Sequence, residues 1–249
     1  MGRADLINGR GLCAFCGELT ILTKEDAWPS WLMRYIFPPN KRVDRMRGGS
    51  DEELAASLKS GYTPRLKTQT VCEECNSKWL GPFEDKAKAR VRGWLTALRG
   101  PVTASDQRVL AFWAIKTAMT VDLAAYAAPD RRIPAAQLRE LHHNRTFPPS
   151  GVFIWCAMRA IRYRGIGYQS KPLPFAYLEP SAIITSAQRR VGYQVIFSIW
   201  HLEVHILGLG VPRLNPHEVL PGYVEALEGR DAFYRLWPLE SIVPVLSQH

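Results

Sequence analysis

Apolar and polar positions change rhythm twice along the chain. In the first third, apolar residues come in short bursts between Gly, Pro and charge. Trp28, Trp31, Leu32, Tyr35 and Ile36 form a stripe at helical spacing, which predicts a short helix over residues 28–37 with Pro29 in its first turn. Pro38 and Pro39 end it. Residues 38–63 read as loop, with a short helix near Asp51 to Leu58, and a strand is expected from Arg65 to Val71. Phe83 to Leu98 reads as a helix broken by Gly100-Pro101. Thr103-Ala104-Ser105-Asp106 then marks the start of a long helix reaching about Ala127. Pro134 to His143 is a further short helix, and Pro148-Pro149-Ser150-Gly151 is a boundary. Beyond it the period becomes two. Val152–Tyr163, Gly165–Gln169, Val191–Ile199 and Trp200–Leu207 are expected strands, and the tail with Pro238 and Pro244 is expected to be extended. No repeat or low-complexity segment interrupts this order. The pattern predicts an α+β protein: a small module over 1–100, a helical segment over 101–150, and an antiparallel β-rich part over 151–249.

Two cysteine pairs decide what holds the first module together. Cys13-Ala14-Phe15-Cys16-Gly17 and Cys72-Glu73-Glu74-Cys75-Asn76 supply four thiolates in two C-x-x-C units, the donor set of a closed tetrahedral Zn²⁺ site. Gly17 lets the backbone fold back so that amides point at the sulfurs. The second pair runs into Asn76-Ser77-Lys78-Trp79-Leu80, which reads as a helix start. A knuckle turn plus a pair opening a helix is a treble-clef arrangement, with a sizeable insertion between the pairs. Disulfides fit less well, because the five cysteines are an odd number and the N-terminus is polar, without a signal peptide. The expected compartment is a reducing cytoplasm. Cys156 lies in the apolar run Val152–Met158 and is expected to be a core thiol.

Bulk composition bounds the rest. With 249 residues, 47% of them hydrophobic, the chain can bury one good core, or one core and a small zinc-stapled satellite. The longest apolar stretch, Val109 to Ala128, carries Lys116 and Asp122 and reads as a buried helix, not a membrane span. The net charge of +9 favours acidic partners at long range. Lys41-Arg42-Val43-Asp44-Arg45-Met46-Arg47 clusters basic charge between the cysteine pairs, and Lys78, Lys86, Lys88, Arg90, Arg92 and Arg99 follow the second pair. These residues suit either phosphate contact or a solvated surface.

Cys13-x-x-Cys16-Gly17, Thr23-Lys24-Glu25-Asp26-Ala27-Trp28-Pro29-Ser30-Trp31-Leu32, Val71-Cys72-x-x-Cys75-Asn76-x-x-Trp79 and Phe83-Glu84 together resemble the zinc-stapled HNH endonucleases of bacterial and phage genomes, the ββα-metal type. The resemblance covers about residues 10–85. It implies metal-dependent hydrolysis of phosphodiester bonds in nucleic acid, with double-stranded DNA the expected partner. It implies structural Zn on Cys13, Cys16, Cys72 and Cys75, and a catalytic Mg or Mn held by Glu25 and Asn76. One position departs from the family pattern. The general-base His that follows the acidic residue is here Asp26, and no histidine precedes His142.

A carboxylate with a pKa of about 4 is a poor base for water at neutral pH, whereas His near ~6.5 is better placed. Asp26 can instead serve as a further oxygen ligand for Mg²⁺. A capping box over Thr23 to Asp26 would put Pro29 deep in the helix, where proline is costly. A further alternative is that Glu25 and Asp26 begin a solvated turn, so a retained metal site and a lost one both stay open. Trp79 and Glu84 are expected to serve in core packing and as helix N-terminal charge, with Glu84 also able to orient the site. His201, Glu203 and His205 alternate on one strand face. Same-face neighbours stand roughly 7 Å apart, too far for all three to meet one ion, so the expected role is the polar side of an amphipathic strand. His142-His143 reads as a helix end. Three functions remain: an HNH-type endonuclease, a non-catalytic nucleic-acid-binding protein on the same zinc fold, and a zinc-stabilised interaction protein.

Overall fold

The computed structural model describes residues 10–36, 43–44, 60–61, 66–95, 103–158, 166–176, 189–209, 215–229 and 233–238. The basic cluster at 41–47, apart from Val43–Asp44, the expected helix near Asp51 and Arg99 lie outside them. The fold is mixed α+β with antiparallel sheets, as the change of period predicts.

The first sheet contains β1 (Arg10–Leu12), β2 (Leu19–Asp26) and β5 (Lys67–Cys72), in the order β1-β2-β5. Between β2 and β5 come α1 (Ser30–Ile36) and a two-residue pair, β3 (Val43–Asp44) with β4 (Ser60–Gly61). Thr23 to Asp26 belong to β2, so these residues neither cap α1 nor begin a solvated turn. Pro29 sits just before α1 and its carbonyl accepts from the amides of Leu32 and Met33. The chain leaves β5 through a π-helical turn, Glu74–Leu80, which runs directly into α2 (Gly81–Leu95).

The central element is α3 (Ala104–Ala125). Thr103 and Asp106 form a capping box at its start, with Thr103 Oγ1 accepting from Asp106 N at 3.1 Å. From Leu110 to Ala124 every residue is buried, including Lys116, Thr117, Thr120 and Asp122. A helix buried all round needs apolar layers on several sides, and α3 has them. Phe112 meets Trp79 and Phe83 of the first module at 6.1 and 4.2 Å. Trp113 meets Phe197 of the C-terminal sheet at 6.1 Å. One continuous core therefore runs from the cysteine module through α3 into the sheet. A 3-10 turn (Ala128–Asp130) and α4 (Ala135–Asn144) follow α3.

The C-terminal sheet has the order β10-β6-β9-β8-β7, built from β6 (Val152–Met158), β7 (Ile166–Ala176), β8 (Arg189–Ile199), β9 (Leu202–Gly208) and β10 (Phe233–Trp237). Alternation sends Ile154 and Cys156 to the main core. Trp155 and Ala157 point to a second apolar cluster with Val224 and Leu227 of α6 (Pro221–Glu228), which follows the single-turn α5 (Pro216–Val219). Cys156 is fully buried, and burial pushes its thiol pKa up, as expected of a core cysteine. Among the described residues, no helix is long and apolar enough to cross a membrane.

Three expectations need correction. β7 does not stop near Gln169 but continues through Pro172 and Pro174, which an edge strand tolerates because half its amides have no ladder partner. Trp200 and His201 form the β8–β9 turn, so His201 is not on a strand face with Glu203 and His205. The Glu203–His205 side is not solvated either. His205 is buried and bonds Glu203 through Nε2 at 2.6 Å and the Tyr223 hydroxyl through Nδ1 at 2.7 Å. The tail with Pro238 and Pro244, expected to be extended, lies outside the described residues beyond Pro238.

Gly208 shows how closely this sheet packs on α4. It lies opposite Tyr193 in the β8–β9 register. Tyr193 is fully buried and its hydroxyl donates to Gln137 of α4. A Cβ on Gly208 would fall inside the Tyr193 ring, so the ring would have to move and give up that bond. Gly208→Ala is expected to cost about 1–3 kcal/mol, read as a lower urea midpoint at unchanged slope.

Candidate metal centre

Three local structures bring the four cysteines together. The β1–β2 knuckle supplies Cys13 and Cys16, and the end of β5 supplies Cys72. The first turn of the π-helical segment supplies Cys75. Gly17 has a φ of 80°, a left-handed conformation that glycine adopts without penalty, and its amide donates to Cys13 O at 2.9 Å. The amide of Cys13 donates to Glu18 O at 2.9 Å, which closes the knuckle. The Ala14 amide, donating to Thr70 O at 2.8 Å, docks it on β5. Amides also point at sulfur: Cys72 N lies 3.4 Å from Cys13 Sγ, and Cys75 N lies 3.4 Å from Cys72 Sγ.

All four sulfurs lie within 4.8 Å of one another, and Cys16 and Cys72 are 3.8 Å apart. A tetrahedron with Zn–S bonds of about 2.3 Å puts its sulfurs about 3.8 Å apart, whereas a disulfide needs about 2.05 Å. The cluster thus fits a tetrahedral metal ion, and its all-thiolate donor set fits structural zinc. Charge tells the same story. The Cys75 thiol donating to Cys13, helped by backbone amides, lowers the Cys13 pKa to about 4 against the effect of burial. Cys16 is pushed up to about 11, chiefly by burial. Cys75 is pushed up by its bond to Cys13 and by burial. Thiolates crowded this closely call for a cation among them, and a divalent metal ion supplies it. Among the described residues, no other group of three or more His, Cys, Asp or Glu side chains converges in this way.

The residues expected to hold a second, catalytic metal have protein partners instead. Glu25 and Asp26 are neighbours on β2 and point to opposite faces. Asp26 lies opposite Lys67 in the β2–β5 register and pairs with it at 3.1 Å. Glu25 turns inward, where its Oε1 accepts from Lys116 Nζ at 3.2 Å. Glu84, in the first turn of α2, accepts from the same ammonium. Lys116 is 0% exposed. Burial presses its ammonium toward neutrality, but Glu84 and Glu25 outweigh that and raise its pKa. Burial also raises the pKa of Glu25, against the pull of Lys116. Asn76 donates through Nδ2 to Thr23 Oγ1 at 3.1 Å, and Thr23 Oγ1 donates to Val71 O at 3.0 Å. Asn76 thus ties the π-helical turn to β2, two residues before Glu25.

Sequence reasoning missed Lys116. A lysine and an aspartate inside an alanine-rich helix were the available signal, and a buried lysine calls for carboxylate partners. Trp79 packs as expected: 7% exposed, it meets Phe15 edge-on at 5.5 Å and His142 at 5.0 Å, with the Arg145 guanidinium over its ring at 5.7 Å. No protein-family model, curated protein or solved structure matches the chain.

Proposed function

We propose that this is a zinc-stapled protein of HNH-endonuclease type, with a treble-clef module that binds double-stranded DNA and has lost phosphodiester cleavage. The observation that carries the reading is Lys116, fully buried between Glu25 and Glu84. A catalytic Mg²⁺ or Mn²⁺ needs Glu25 as an oxygen ligand. An ammonium built into the central helix already neutralises that carboxylate, and it cannot leave without opening the core around α3. Asp26, in the general-base position, adds to the argument: a carboxylate stands where the family has an imidazole, and Lys67 pairs with it. The net charge of +9, with Lys86, Lys88 and Arg92 following the second cysteine pair, supports a phosphate-rich partner, whereas Lys78 pairs with Glu74 and Arg90 with Asp106.

One observation favours the second reading, a working metal-dependent DNA endonuclease. Asp26 is 20% exposed and Lys67 44% exposed. Pairs this open to solvent are worth little, so a divalent cation can compete for Asp26 more easily than for Glu25. The test is incubation of zinc-loaded protein with supercoiled plasmid, with and without Mg²⁺ or Mn²⁺, alongside Glu25→Ala, Asn76→Ala and Asp26→His. The expected result is salt-sensitive retardation without nicking by the wild type. Metal-dependent nicking that vanishes in Glu25→Ala and Asn76→Ala would establish the second reading instead. Absence of retardation at any salt concentration would leave the zinc-stabilised interaction protein.

A further inference from the structure

Elements α1, α2 and the β8–β9 turn bring aromatic rings and a guanidinium group together. The ring centroids of Tyr35 and Trp200 are 5.6 Å apart, with the planes inclined at 42°. The Arg92 guanidinium lies over Tyr35 at 5.5 Å and over Trp31 at 5.7 Å. Trp31 is buried, but Tyr35 and Trp200 are only half-buried, and Arg92 and Arg34 are exposed. Lys88 stands one turn before Arg92 on the same side of α2.

The backbone singles out Trp200. Its φ is 52°, in the left-handed region that glycine and asparagine occupy easily and a bulky side chain does not. Trp200 and Tyr35 both pack against the edge of the main core, and each ring is left only partly covered there. Half-exposed aromatic faces beside a guanidinium plane stack nucleobases with little regard to sequence, and nearby cations hold the flanking phosphates. Bases within a duplex already stack on each other, so the base such a surface accepts is an unpaired one.

We propose that Tyr35, Trp200 and Arg92 form a stacking site for an unpaired base of DNA, with Arg34 and Lys88 at the adjoining phosphates. This rests on the nucleic-acid reading above. The experiment compares three fluorescent probes: a blunt duplex, the same duplex with a six-thymidine overhang, and one with an abasic overhang of equal length. Wild-type protein is expected to bind the thymidine overhang about tenfold tighter than the abasic one. Tyr35→Ala and Trp200→Ala are expected to erase that preference while keeping blunt-duplex affinity and zinc content, with a lower melting temperature because both rings pack on the core, and Tyr35→Phe to retain both the preference and the melting temperature. Equal wild-type affinity for the two overhangs overturns the stacking site without touching the duplex reading, and needs no variant to fold. So does a preference that survives in both alanine variants. Absence of salt-dependent binding to the blunt duplex overturns the nucleic-acid reading and the stacking site together.

Discussion

Removing the metal from the four-cysteine centre is expected to unfold the first module. The cluster joins pieces of chain far apart in sequence, since Cys13 and Cys16 sit on the β1–β2 knuckle and Cys72 and Cys75 flank the exit from β5. Without a cation the sulfurs cannot hold that geometry against the entropy of the intervening segment. Structural zinc contributes an apparent ~10–16 kcal/mol at neutral pH, comparable with the ~5–15 kcal/mol total stability of a typical domain. A strong chelator should abolish the cooperative melting transition and the near-ultraviolet signal of the packed Phe15–Trp79 pair, and added zinc should restore both. Cys13→Ala and Cys75→Ala should behave like the chelated protein. Cys156→Ala, outside the cluster, should still bind one zinc ion. Zinc affinity should fall as pH drops, because protons compete for the thiolates. A chelated protein that melts unchanged would contradict this.

Replacing Lys116 carries the second large effect. Lys116→Met is expected to cost about 3–5 kcal/mol, because it leaves Glu25 and Glu84 as uncompensated carboxylates against the core. The pH dependence identifies the cause. Burial raises the folded-state pKa of Glu25 above its unfolded value, so its contribution is fully present below the unfolded value and is lost as pH rises. In the wild type Lys116 offsets part of that loss; in Lys116→Met nothing does. The gap between variant and wild type in urea midpoint should therefore narrow from pH 7 to pH 5 and widen again as pH rises. Adding Glu25→Gln and Glu84→Gln to Lys116→Met should recover most of the stability, since three neutral side chains leave no buried charge. A gap below about 1 kcal/mol, or one indifferent to pH, would show that the triad does not carry this energy.

Local signals made part of the architecture legible in the sequence. The two C-x-x-C units with Gly17 foretold the cysteine cluster, because sulfur spacing and a left-handed turn are written in consecutive residues. Thr103 and Asp106 foretold the start of α3 for the same reason. The edge continuation of β7 through Pro172 and Pro174 was not legible, since proline is admissible only once the strand is known to lie at an edge. The burial of His205 under α6 was hidden because a period of two gives faces but not what covers them. The chemistry of Glu25 was hidden for a stronger reason. Its partner stands on another element, 91 positions away, and no local pattern joins β2 to the middle of α3.

The central claim is a metal-stapled module that presents a DNA-binding surface. It is tested most directly by the affinity of zinc-loaded and chelated protein for a blunt duplex across a range of salt concentrations. For the zinc-loaded protein the logarithm of affinity should fall linearly with the logarithm of salt concentration, with a slope steeper than about −3, and the chelated protein should lose most of that affinity. Affinity indifferent to salt, or equal with and without zinc, would contradict it.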